Sequence, residues 1–195
     1  ECVGLIMKRV VFTPPDLKNV SPDLKAAVDA IPEPRIVIQP KPGHWTPNKE
    51  WPVEHWRELI GNLLDDYNVI EVGEESVFKD LKSPRFHRFA GKTNLTEFAC
   101  IISKATLFLG APSSGMHFAG AFNIPASIVF GGYESPAGYR YKLKNTFYNP
   151  VPCAPCWLTT PCPFDHKCLR GIEPARVIDG VRASMKSISP APEDG

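Results

Sequence analysis

Between Arg35 and Phe130 the chain repeatedly alternates short β-branched runs with longer segments of helical periodicity, and that alternation admits little other than an α/β fold. Arg35-Ile36-Val37-Ile38-Gln39 is apolar through its middle, as a strand buried on both faces must be. Residues 52–64 follow, with Val53, Trp56, Leu59, Ile60, Leu63 and Leu64 on one helical face and Pro52 in the first turn, where its missing N–H has no partner to lose. The same reading predicts strands at 68–72, 85–89, 106–109 and 126–130, and helices at 95–104, 116–122 and 174–187. Asn94, with Glu97 three residues on, is suited to cap the helix starting at Leu95. Strand-helix-strand order with short strands predicts a parallel, Rossmann-like sheet with helices on both faces.

Length and charge narrow the function classes. A chain of 195 residues suits one domain with attached extras. Its net charge of +1 gives no electrostatic reason to bind nucleic acid or a membrane surface. No apolar run approaches the roughly 20 residues of a transmembrane helix, and the first residues lack a secretory pattern. The expected location is cytoplasmic. The chain begins without methionine, which suggests a fragment. Prolines cluster at 14–15, 32–42 and 150–163 and again after Ser189. They divide the chain into a linker at 1–34, with a short helix near 23–30, a lobe at 35–187 and a disordered tail at 188–195.

The most informative string is Leu107-Phe108-Leu109-Gly110-Ala111-Pro112-Ser113-Ser114-Gly115-Met116-His117. A strand ends in small residues and leads directly into a helix, at the edge where open α/β sheets place ligands. Free helix N–H groups and the helix dipole favour an anion there, and the serine hydroxyls and His117 add donors. A plain helix cap with a packing histidine fits the string equally well. Neither a Walker loop nor a dinucleotide glycine fingerprint is present. Lys49, in the loop after the first core strand, is a second candidate for phosphate. Trp56 reads as core, whereas Trp45 and Trp51 flank the lysine loop and suit either packing or stacking.

The second signal is Cys153-Ala154-Pro155-Cys156, then Cys162 and Cys168, with His166 nearby. The four thiols could close a structural tetrahedral zinc or iron site forming a small knuckle over 151–170, with His166 able to replace one cysteine. Two disulfides or free thiols are the alternatives, the first suited to an exported protein. Cys100 reads as an inert buried thiol. With only Lys167 and Arg170 set against Asp165, the loop lacks the basic character of a nucleic-acid finger.

Taken together, residues 49–56, 91–97, 113–119 and 125–132 resemble, in order and spacing, the C-terminal lobe of glycosyltransferase family 9, which includes the lipopolysaccharide heptosyltransferases. The resemblance spans about residues 35–187 and implies one lobe of a GT-B fold, with 1–34 as the end of a missing N-terminal lobe. It implies a nucleotide-sugar donor, ADP-linked by preference, held by Lys49, Thr93, Ser113, Ser114, Gly115, Met116 and His117, with residues 91–94 near the base. It implies inverting sugar transfer without a catalytic metal to a bacterial surface glycan or protein acceptor. The general base is expected in the missing lobe, so this chain alone should be inactive. The cysteine cluster is similar to the iron finger of autotransporter heptosyltransferases. One departure is Pro112, which stands where family members commonly carry an acid contacting the donor sugar. The competing expectation is a non-catalytic nucleotide-binding or protein-interaction module with a structural metal.

Overall fold

The computed structural model describes residues 13–139, 141 and 143–188. The expected tail beyond Ile188 and the first twelve residues of the expected linker lie outside them. Six parallel strands run in the order β3-β2-β1-β4-β5-β6. They are β1 Arg35–Gln39, β2 Asn68–Glu71, β3 Phe86–Arg88, β4 Leu107–Gly110, β5 Ala126–Phe130 and β6 Asn145–Tyr148. The helices are α1 Pro22–Asp29, α2 Val53–Leu63, α3 Leu95–Ser103, α4 Ser114–Ala121, α5 Lys167–Arg170 and α6 Pro174–Ile188.

Alternation along each strand divides the core into two layers. Ile36, Ile38, Val69, Leu107, Leu109 and Val129 pack on one side with Trp56, Leu59 and Leu63 of α2 and Val177 and Val181 of α6. Val37, Ile70, Phe108, Ile128 and Phe130 pack on the other with Val28 of α1, Ile101 and Ile102 of α3, and Met116 and Ala119 of α4. Both strand faces are therefore apolar, which is why the sequence shows continuous runs rather than alternation. The Asn94–Glu97 capping box forms as expected, with both serving as partners at the start of α3. Helix α1, set in the linker by the sequence reading, packs Val28 into the second layer.

Two elements depart from the sequence reading. Strand β6 was not foreseen because only Phe147 of its four residues is buried, so no apolar run marks it. Its place is held by Asn145, whose Nδ2 donates to Ser127 Oγ at 3.0 Å, Gly180 O at 2.9 Å and Ser184 Oγ at 2.6 Å. Helix α4 begins at Ser114 rather than Met116, so Ser113 takes the capping position. The four cysteines of the expected metal knuckle come together in the fold. Cys153, Cys156, Cys162 and Cys168 line one cavity of about 20 Å3. Among the described residues, however, no group of three or more His, Cys, Asp or Glu stands ready to hold a metal ion. The thiols converge without closing into a ligand set, and all four are unbridged. His166 lines the same cavity, with its Nε2 paired to Asn48 Oδ1 at 2.9 Å.

Glu71, fully buried at the end of β2, organises the loop beyond it. Its carboxyl accepts from Ser76 Oγ at 2.6 Å, Val77 N at 2.7 Å and Phe78 N at 3.3 Å. Glu71→Ala strands two backbone donors in the interior and should cost about 3 kcal/mol. Urea denaturation checks this, and a loss below about 1 kcal/mol would show that water replaces the carboxyl.

Candidate functional site

Every loop that leaves a strand end opens on one edge of the sheet, and the residues predicted to hold the donor all come from that edge or from α4. Gln39, last in β1, is register-paired with Gly110, last in β4. Strands 1-2-3 are laid down in one direction from this pair and 4-5-6 in the other. Loops part at such a switch point and leave a crevice. Here it has a volume of about 260 Å3 and is lined by Gln39, Gly43, Gly73, Thr93, Phe98 and Ser114, among others. Gly73, at φ +138°, takes a backbone conformation that a side chain would strain. Asn94 also lines the crevice, but its side chain is committed to capping α3. Thr93 is the polar side chain beside it.

The start of α4 is partly closed from within. Gln39 Oε1 accepts from Ser113 Oγ at 2.7 Å and from Gly115 N at 3.2 Å. Gly115 must be glycine, since a Cβ would overlap both the Phe108 ring and the Gln39 oxygen. Ser114 and His117 are exposed, while Gly115 is buried. The Met116 side chain is fully buried in the layer beneath α4, so only its backbone can face a ligand.

Lys49 ends a short 3-10 turn, residues 47–49, and is pinned from several sides. Its Nζ donates to Pro112 O at 3.2 Å, lies 2.5 Å from Glu134 Oε1 and sits 4.7 Å from the centre of the Tyr133 ring. The turn is in turn tied to the cysteine loop. Thr46 Oγ donates to Leu158 O at 2.9 Å, and Asn48 Nδ2 donates to Leu158 O at 2.6 Å and Thr160 O at 2.8 Å. The cysteine loop and the lysine turn therefore form one hydrogen-bonded unit.

Sequence reasoning missed Glu134, Gln39, Tyr139 and Tyr141. Glu134 is 7% exposed and accepts from Tyr139 Oη at 2.5 Å. His117 Nδ1 meets Tyr141 Oη at 2.5 Å. Burial holds His117 below the ordinary imidazole range, with Glu134 opposing and Lys49 adding to the depression. Burial, then the bond to Glu134, push the Tyr139 phenol well up, so it stays a donor. The only available signal for Glu134 was an acid four residues past the end of β5. A larger groove of about 460 Å3 lies beside α2, walled by Trp56, Glu54 and Arg170. The serine-glycine turn of α4 is not among its walls.

A parallel sheet in this order, with its crevice at the switch point, defines a Rossmann-like lobe. The chain belongs to glycosyltransferase family 9 (heptosyltransferase), whose model matches residues 12–156. It is 19% identical over 152 residues to lipooligosaccharide heptosyltransferase 2 of Campylobacter jejuni, covering 71% of this chain and 47% of that enzyme. Its fold is similar to the iron-containing, dodecameric heptosyltransferase TibC in complex with ADP-D-β-D-heptose, with TM-score 0.70 and 22% identity over 90% of this chain and 49% of that one. It is also similar to ADP-heptose lipopolysaccharide heptosyltransferase II of E. coli, with TM-score 0.66 and 22% identity over 86% and 53%. The chain thus spans about half the length of the relatives it matches.

Two outcomes follow from this geometry. Asn48 is 3% exposed, so Asn48→Ala should cost about 2–3 kcal/mol and free the Lys49 turn. Chemical denaturation measures this, and a neutral result would dissociate the turn from the cysteine loop. Burial depresses the pKa of His87 as it does that of His117. In the unfolded chain each takes up its proton near pH 6.5, and in the folded chain only at lower pH. Stability should therefore fall as pH drops through and below 6.5. The double variant with glutamine at both positions should flatten that fall in a melting series from pH 7.5 to 5.

Proposed function

We propose that this chain is the donor-binding lobe of an inverting glycosyltransferase that uses a nucleotide sugar, with an ADP-linked heptose or hexose as the favoured donor. One observation carries the reading: a crevice at the β1/β4 switch point, lined by Thr93 and Ser114, lies beside a helix start and a half-buried lysine. The base would enter near Thr93. The diphosphate would meet Lys49, the hydroxyls of Ser113 and Ser114 and the first amides of α4 through Met116, with His117 at the sugar end. Gly115 lets the helix start pack this closely on Phe108 and Gln39. The bound ADP-heptose in the similar TibC structure supports the choice of donor.

Inversion requires an acceptor hydroxyl to approach the anomeric carbon opposite the leaving diphosphate, assisted by a base. In this reading the base and acceptor site belong to a second, N-terminal lobe, and the acceptor is a bacterial surface glycan or protein modified in the cytoplasm. A lone lobe can bind a donor but cannot align an acceptor, so it should not turn over. The coverage of about half of each relative supports that division.

The cysteine loop is proposed to hold one structural zinc or iron ion through Cys153, Cys156, Cys162 and Cys168. The reading is supported by the four cysteines lining one small cavity and by the Phe164 N–H pointing at Cys162 Sγ from 3.4 Å, and binding would require the thiols to draw together around the ion. Gly132 is needed beside them, because a Cβ there would press on Cys168 Sγ and Cβ. When bound, the ion would fix the loop that supports Lys49 and perform no chemistry on the sugar.

Thermal melting with millimolar ADP or ADP-heptose tests the donor reading, since a ligand selective for the native state must raise the melting temperature. A shift of several degrees is expected, reduced in Lys49→Ala. No shift with any nucleoside diphosphate would remove the reading and leave a non-catalytic interaction module. Elemental analysis of the purified chain should find about one equivalent of zinc or iron. Less than half an equivalent together with no titratable thiols would mean disulfides.

A further inference from the structure

We propose that Glu134 is a donor-recognition residue that distinguishes a nucleotide sugar from the free nucleotide. The inference rests on the donor reading above and identifies a specificity element that it lacks.

Glu134 follows β5 at the same sheet edge as the start of α4 and is 7% exposed. A carboxylate buried this deeply needs compensation for lost hydration. Tyr139 supplies a hydrogen bond to Oε2, and Lys49 supplies charge to Oε1. Lys49 Nζ lies 2.5 Å from Oε1 and covers it, so that this oxygen is wholly buried. A carboxylate oxygen can accept two bonds, so Oε1 keeps a lone pair for a further donor once the ammonium shifts towards a bound phosphate. Around it stand His117 at the exposed start of α4 and Tyr133, whose Oη accepts from the highly exposed Trp45. Tyr133 also meets exposed Trp157 edge-on, with ring centres 5.3 Å apart. Aromatic faces beside a carboxylate suit a polyhydroxylated ring, with C–H groups against the rings and a hydroxyl donating to the acid.

Charge balance then sets the selectivity. In the empty site Lys49 is already neutralised by Glu134, so a diphosphate drawn to Lys49 also meets the carboxylate. Free nucleoside diphosphate bears that repulsion without relief. A donor sugar offsets it by placing a hydroxyl on Oε1. Pro112, held by Lys49 through its carbonyl, offers no side-chain acceptor of its own. Glu134 thus brings a carboxylate to the site from the β5 exit.

The test is titration calorimetry of the full chain with ADP and with ADP-D-β-D-heptose, for the wild type and Glu134→Gln. The wild type should prefer the nucleotide sugar by about 10-fold, the effect of one charge-assisted hydrogen bond. In E134Q, ADP should bind about 10-fold more tightly and the preference for the sugar form should vanish. Equal weakening of both ligands in E134Q would make Glu134 a support for Lys49 only and overturn the proposal. Should E134Q not fold, judged by its thermal transition, Glu134→Asp serves instead. That variant keeps the charge but withdraws it from the sugar, so it should lose the preference without gaining ADP affinity, and an unchanged preference would overturn the proposal. Wild-type binding of ADP with no preference for the sugar form sinks this inference alone, whereas binding of neither ligand sinks the donor reading beneath it.

Discussion

The side chain of Gln39 links the sheet to the site. It lies at the end of the central strand β1, opposite Gly110, and its one oxygen accepts from both the Ser113 hydroxyl and the Gly115 amide. These bonds fix the direction in which α4 leaves the sheet, and so the direction in which Ser114 and His117 face. They also occupy an amide that a bare helix start would offer to an anion. A site here would therefore rely on the remaining donors: Lys49, the Ser114 hydroxyl and the exposed first turn. Small residues are required for this closeness, because Gly115 leaves no room for a Cβ between Phe108 and Gln39.

Lys49 is fixed from the opposite direction. Its turn is bound through Thr46 and Asn48 to carbonyls of the cysteine loop, and His166 closes the unit on Asn48. A loop lysine is ordinarily mobile and solvated, but here its side chain is only 17% exposed. The cysteine loop thus acts on the position of Lys49 from a distance, by the rigidity it gives to a neighbouring turn. Order in that loop, whatever maintains it, is transmitted through buried hydrogen bonds, which become costly to break once water is excluded.

The two-layer fold was legible in the sequence because each central strand is buried on both faces and each covering helix shows an apolar stripe. Strand β6 was not, since a sheet edge with one buried phenylalanine leaves no pattern. The helix start at 113–117 was legible from composition, because few residue types allow so close an approach. Its internal cap was not, since a glutamine 76 residues before Gly115 carries no local signal. Glu134 was hidden for the same reason, and the sequence reading marked Pro112 as the loss of an acid that the fold brings in from another strand. The bond of His166 to Asn48 was hidden as well, since 118 residues separate the two.

The central claim is that ADP docks across the switch point, with its diphosphate between Lys49 and the first turn of α4. Amide chemical shifts of the isotopically labelled chain during an ADP titration test it most directly. The predicted perturbations are concentrated at Thr93, at residues 113–117 and around Lys49, and saturate together. Perturbations confined to the groove beside Trp56 and Arg170, or absent altogether at saturating nucleotide, would contradict it.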